Sequence, residues 1–210
     1  MTGQLRVADI PSLHHMAWQP IVHFASQQIW GYEALARFTD VTPTQAFAQC
    51  AGEDAVRRLD AQCWQQALHH PPDQGWLFLN VTAATIRAAQ WAPVPGSLQE
   101  RVIWELPETA GWDPGMIPQG LPVALDDVGS GYGDLWRLQG VRWRAIKIDR
   151  GIIAQMETRA AAQYLVRALV RVAQRRGGVL IAEGVETAAT ARRLQQLGVA
   201  YGQGYLWGMP

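Results

Sequence analysis

"WQPIVHFASQQIWGYEALARF", residues 18–38, contains two apolar runs, 18–24 and 29–38, with about four residues, "ASQQ", between them. Branched and aromatic side chains fill both runs, as in buried strands. A parallel crossover consumes about a dozen residues or more, so strands this close in the chain pair antiparallel, as a hairpin. The first strand of the sheet is therefore inverted relative to the rest.

Further along lie six more short apolar runs: "WLFLNV" (76–81), "RVIWEL" (101–106), "LPVALDDV" (121–128), "RAIKID" (144–149), "GVLIAEG" (178–184) and "VAYGQGYLWG" (199–208). Helical periodicity occupies 44–69, 82–90, 152–176 and 187–197. The connections at 92–98 and 109–120, rich in Pro and Gly, are too short for full helices. Strands alternating with helices pair in parallel, and near-continuous apolar strands are buried on both faces. The expected fold is α/β, a TIM-type (β/α)8 barrel with an antiparallel first strand and a shortened first half. With no internal repeat, low-complexity tract or linker, one domain over 1–210 is expected.

Composition narrows the partners. Lys plus Arg and Asp plus Glu number 18 each, so no overall basic field points to a nucleic-acid duplex or an anionic membrane. No apolar stretch approaches a membrane span, and the N-terminal residues lack a signal-like pattern, so a cytoplasmic location is expected. Cys50 and Cys63 lie thirteen positions apart without a CxxC or a histidine cluster, and are expected to be buried thiols, not zinc ligands or a disulfide. Charged residues make up 17% of the chain, below the usual quarter or so, and include seventeen arginines but a single lysine, Lys147. Arg is a fixed planar fork whereas Lys is a compact charge with a movable pKa, so the exception suggests chemistry that Arg could not perform.

In a βα barrel the active site lies at the C-terminal ends of the strands. Collected there are Glu33, Asn80, Glu105, Asp126, Asp127, Lys147, Asp149, Glu183, Glu186 and Gln203, and with Glu108 they hold eight of the eighteen acidic residues. Singly, each has a plainer role: Glu33 as a surface charge, Asn80 as a turn residue, Glu105 and Glu108 as a helix-start pair. Coincidence at the ends of six consecutive strands, the second to the seventh, does not explain them together. Such a ring needs cations, and oxygen ligands suit Mg²⁺ or Mn²⁺ over zinc. Adjacent Asp126 and Asp127 would let one carboxylate bridge two ions while its neighbour holds the second, an arrangement used for in-line phosphate-ester hydrolysis.

These motifs, "YEALARF", "LNVT", "ELPE", "DDVGSGY", "IKID", "AEGVET" and "GQGYLWGMP", occur in the order found in the EAL-domain cyclic di-GMP phosphodiesterases, which the chain resembles over almost its whole length. The resemblance implies two-metal hydrolysis of cyclic di-GMP to linear pGpG. It implies that Glu33, Asn80, Glu105 and Asp126 hold one Mg²⁺ or Mn²⁺, with Asp126 bridging to a second ion that Asp127 and Glu183 approach. Lys147, Glu183 and Asp127 are then the catalytic residues. Gln19, Leu35, Arg37, Asp149, Glu186 and Gln203 would contact substrate, and Glu108 would anchor the loop after the fifth strand. The competing expectation is a weak or inactive cyclic di-GMP sensor or protein-interaction module; a two-metal enzyme for another diester is a third.

Departures from the family pattern carry further expectations. Val128 stands where an aromatic is usual and Gly133-Asp134 where serines are usual, which would loosen that loop. The chain stops at Pro210, where the family continues into a last helix. Either residues 1–16, with Leu5, Val7, Ile10, Leu13 and Met16 at helical spacing, or a second subunit would cover the eighth strand, and a homodimer is expected.

Overall fold

The computed structural model describes residues 11–108, 111–130, 137–156 and 158–209. Its eight strands are β1 (Leu13–His23), β2 (Ile29–Phe38), β3 (Trp76–Asn80), β4 (Val102–Pro107), β5 (Val123–Val128), β6 (Trp143–Ile148), β7 (Val179–Ala182) and β8 (Tyr201–Gln203). They close into a barrel in chain order. β1 runs antiparallel to both β2 and β8, and every other neighbouring pair is parallel.

β1 begins at Leu13, five residues before the expected start, because β2 extends to Phe38 and offers ladder partners for the extra length. Leu13 and Met16 therefore belong to a strand, which corrects the helical cover expected over 5–16. Leu5, Val7 and Ile10 lie outside the described residues, as do Gly133 and Asp134.

The helices are α1 (Pro43–Ala48), α2 (Glu53–His69), α3 (Ala83–Ala88), α4 (Arg137–Gly140), α5 (Arg150–Gln155), α6 (Ala160–Arg175) and α7 (Ala188–Gln196). Two expected helices are each split in two. α1 starts on a Thr42–Gln45 capping box, and Gly52, at φ 87°, separates it from α2. The break between α5 and α6 falls in the gap of the apolar pattern after Met156, with Arg159 extended. Short 3₁₀ turns at Gly96–Leu98 and Pro114–Met116 stand in the Pro- and Gly-rich connections.

Tryptophans from α2 and from two helix-poor connections cover the outer strand faces. Trp64 on α2 and Trp91 both pack edge-on against Trp104 of β4, at 4.9 and 5.6 Å between ring centroids. Trp112 does the same for Trp143 of β6 at 6.2 Å. An indole buries roughly 150–250 Å², enough to replace part of a missing helix face.

Inside the barrel, Ile21, Phe78, Ile103, Ala124, Ala145 and Ile181 form a separate, fully buried apolar layer. Side chains on one face of a strand recur every second residue. Two positions beyond this layer in the parallel strands, that face carries Asn80, Glu105, Asp126, Lys147 and Glu183. In inverted β1 the corresponding step runs backwards, from Ile21 to Gln19. The polar mouth is thus laid directly on an apolar floor.

Val128 is 1% exposed and packs in the outer core, beside Ile148 in the ladder. A close-packed site of this kind has no room for a larger ring. Val128→Phe is expected to destabilise the fold by about 1–3 kcal/mol through overpacking, read as a lower urea midpoint. A raised midpoint would show instead that the smaller side chain leaves the segment under-packed.

Candidate active site

Lys147 is fully buried, and its ammonium is shared among four carboxylates. Nζ lies 3.0 Å from Glu33 Oε2, 2.8 Å from Glu105 Oε1, 2.9 Å from Asp126 Oδ1 and 2.7 Å from Glu183 Oε1. These acids come from β2, β4, β5 and the end of β7, so the barrel ladder, and not any local motif, brings them together. Gln203 donates to both Gln19 Oε1 and Glu33 Oε2, and the Asn80 amide donates to Glu33 Oε1 at 3.1 Å.

One ammonium cannot satisfy this much negative charge. Burial, with Glu33 next in weight, pushes the Glu105 carboxyl well above its ordinary range. Burial also raises Asp126, despite the opposing pull of Lys147. It drives Glu183 up to about 8, opposed by Lys147 and reinforced by Asp126 and Glu33. Asp127 rises to about 6 through burial and the adjacent Asp126 charge. For Glu33 the upward push of burial is outweighed by Lys147 and by hydrogen bonds from Gln203 and Asn80, which hold it below the usual value. Burial alone would lower Lys147, but the surrounding acids raise it well above a normal lysine, so it stays charged.

Asp126 and Asp127 reach the mouth together because β5 is irregular there. Adjacent side chains of a regular strand point to opposite faces. Between Leu125 and Val128 the register against β6 shifts, and Asp127 takes φ 55°, in the left-handed region that Asp tolerates better than most residues. The bulge re-aims Asp127. Beyond it, the Gly129 amide donates to Glu108 Oε2 at 3.0 Å.

Two carboxylate groups result, Glu33–Glu105–Asp126 and Asp126–Asp127–Glu183, with ligand atoms in each within 4.8 Å of one another. Asp126 belongs to both. Glu105 Oε2 is buried with no hydrogen-bond partner among the described residues. A donor set made of oxygens, with an orphaned buried carboxylate oxygen, fits hard divalent cations.

Beside the acids lies a cleft of about 320 Å³ lined by Gln19, Leu35, Arg37, Glu186 and Gln203, five of the six expected substrate contacts. Asp149, the sixth, is absent from that lining and instead accepts from the Gly151 amide at 2.8 Å, capping α5. Arg150 and Tyr205 also line the cleft. Neither is among the expected contacts; Arg150 opens α5 and Tyr205 stands in a 3₁₀ turn after β8. Of the cysteines, Cys63 is buried and its thiol pushed up to about 12 by burial, whereas Cys50 is only half-buried, a correction to the expected pair of buried thiols. No described helix is long and apolar enough to cross a membrane.

Fold and site together define a βα barrel with an acidic mouth. The chain belongs to the EAL domain family, whose profile matches residues 12–210. It is 37% identical over 91 residues to the cyclic di-GMP phosphodiesterase RocR of Pseudomonas aeruginosa, covering 43% of this chain and 23% of RocR. Against the cyclic di-GMP phosphodiesterase PdeR of Escherichia coli K12 the figures are 40% over 91 residues, 43% of this chain and 14% of PdeR. An uncharacterised Azorhizobium caulinodans protein is 27% identical over 94% of this chain and 31% of its own length. The chain thus spans about a third or less of these relatives. Among solved structures, the manganese and cyclic di-GMP complex of Klebsiella pneumoniae BlrP1 superposes with a TM-score of 0.78 at 26% identity, covering 96% of this chain and 58% of that one. The EAL-domain protein of Listeria monocytogenes shares the fold, with a TM-score of 0.79 at 22% identity over 93% of this chain and 87% of that one.

Raised carboxyls must shed protons before they can ligate a cation. With Asp127 near 6 and Glu183 near 8, Mn²⁺ affinity should climb as pH rises from about 6 to about 8, with protons released on binding in that window. Calorimetric titration in buffers of differing ionisation enthalpy measures this directly; a flat profile would contradict ligation by these two acids.

Proposed function

We propose that the chain hydrolyses cyclic di-GMP to linear pGpG with two divalent cations, Mg²⁺ or Mn²⁺. The observation that carries this reading is the pair of carboxylate groups sharing Asp126 at the mouth of the barrel. The likeness to the BlrP1 complex, which holds manganese and cyclic di-GMP, supports it. In this reading Glu33, Asn80, Glu105 and Asp126 hold one cation, and Asp126, Asp127 and Glu183 the other. When bound, the cations would lower the pKa of a water and take up charge on the phosphate.

The rest falls to the chain's own side chains. The buried Lys147 ammonium, always protonated, donates to oxygen that gains charge as the water oxygen bonds phosphorus and the bond to the 3′-oxygen breaks. The attacking water gives up one proton and the departing 3′-oxygen takes up one, so Lys147 ends the step as charged as it began. Arg37 offers a guanidinium fork suited to a phosphate at the cleft. Gln19, Leu35, Glu186 and Gln203 wall the same cleft and orient the ligand, with Arg150 and Tyr205 at its side. Asp149 acts by capping α5 next to the cleft. The homodimer implied by the family belongs to this proposal as well.

Incubation with cyclic di-GMP and Mn²⁺ should yield pGpG by chromatography, and EDTA should abolish the reaction. Asp126→Asn should lower turnover at least about 100-fold, the upper end of what loss of a mere supporting contact costs. Binding of cyclic di-GMP without turnover by the unaltered chain would establish the sensor reading instead.

Lys147→Arg should also lose about 100-fold or more in turnover although the charge is kept, because a guanidinium spreads its charge over a larger plane than the space among four carboxylates allows. Substrate affinity should change far less, since Arg37 and the cleft remain. Near-normal turnover by a folded Arg variant would reduce Lys147 to a conventional basic contact.

A further inference from the structure

Asn80 is the last residue of β3, exposed at the mouth, and its amide must stay against Glu33 if both are to face one cation. Strand ends fray, so the position of this amide needs a cause outside β3. On one side the Val81 amide donates to the Glu105 carbonyl at 3.0 Å. On the other side the cause is α2. Trp64 Nε1 donates to the Asn80 carbonyl at 2.8 Å. One helical turn earlier, Asp60 Oδ2 accepts from the Thr82 amide at 3.1 Å, the Thr82 hydroxyl at 2.6 Å and the Thr85 hydroxyl at 2.6 Å.

Three features set this contact apart from ordinary packing. Asp60 is 2% exposed, and a carboxylate is placed so deep at a cost unless its hydrogen bonds are made. Two of the three donors belong to Thr82, two residues after Asn80, and the third to Thr85 in the first turn of α3. Thr82 stands at the N-cap of α3, where a threonine hydroxyl ordinarily accepts a bond from its own helix, yet it makes no such cap and turns to Asp60. Local helix stability is given up for the tie to α2.

A cleft of about 440 Å³ adjoins the same turn, lined by Leu35, Asp60, Trp64, Asn80 and Thr82 among others. Dense packing therefore does not hold the turn on that side, and directed hydrogen bonds must. Trp64 also meets Trp104, the neighbour of Glu105 in β4. Asp60 and Trp64, four residues apart on one face of α2, both reach the segment that leaves β3 at Asn80.

We propose that Asp60, together with Trp64, is a positioning residue for the metal site, holding the turn from Asn80 to Thr82 so that the Asn80 amide keeps its place beside Glu33. This rests on the two-cation reading and adds to it a pair of residues that touch neither cation nor substrate. Their contribution is mediated by Asn80, so it must vanish when Asn80 is removed.

A double-mutant cycle on the full chain, read by calorimetric titration with Mn²⁺ alone, tests this. Asp60→Ala should weaken Mn²⁺ binding by about 10- to 100-fold, as loss of a supporting contact does. In an Asn80→Ala background the same change should shift affinity by less than about threefold, because the coupled partner is gone. Asp60→Asn, which keeps an acceptor oxygen and the shape, should recover most of the loss. If Asp60→Ala does not fold, Trp64→Phe, which removes the Nε1 donor and keeps a ring, runs the same cycle, with weakening confined to the background that retains Asn80. Equal weakening in both backgrounds, or none in either, would overturn the positioning role. An unaltered chain that bound no Mn²⁺ would overturn the two-cation reading itself, a separate outcome.

Discussion

One ammonium held among four buried carboxylates is the constraint on which the site depends. Taking each ion out of water costs several kcal/mol even after relaxation, and the Lys147 charge offsets only part of that. The remainder is met by protons on Glu105 and Glu183, whose carboxyls are pushed far up, or by cations in their place. A mouth built this way favours divalent metal as a matter of charge balance. The apolar layer of Ile21, Phe78, Ile103 and Ile181 beneath closes the barrel interior below it and leaves the strand ends as the way in.

The barrel does the assembling. Because strand side chains repeat every second residue, six strands that each place an apolar residue in the floor must place their next inward residue in the mouth. Inverted β1 contributes in reverse, so Gln19 rather than a residue beyond the floor meets Gln203 and Glu33. The exception to the period lies at the mouth itself. The β5 bulge turns Asp127 to the same side as Asp126, which the regular alternation of the strand would forbid.

The barrel was legible in the sequence to the extent that its causes were local. Short apolar runs, the four-residue hairpin connection and the acids at run ends are all carried by neighbouring residues, so strand order, inversion and the mouth could be read directly. The single lysine among seventeen arginines marks Lys147 without reference to its partners. What could not be read depends on distant contacts or on backbone detail. The early start of β1 needed the length of β2, the splitting of the long helices needed Gly52 and Arg159, and the co-facing of Asp126 and Asp127 needed one left-handed residue. The tie from Asp60 to Thr82 joins residues 22 apart, and no motif marks it. Asp149, a substrate contact by the resemblance, also caps α5, a local role its strand-end position does not announce.

A crystal of the chain grown with Mn²⁺ and measured at the manganese absorption edge interrogates the shared-aspartate site most directly. Two anomalous peaks should flank Asp126, one against Glu33, Asn80 and Glu105 and the other against Asp127 and Glu183. A single peak, or none, with the Lys147 ammonium still closed on all four carboxylates, would contradict a site built to hold two cations.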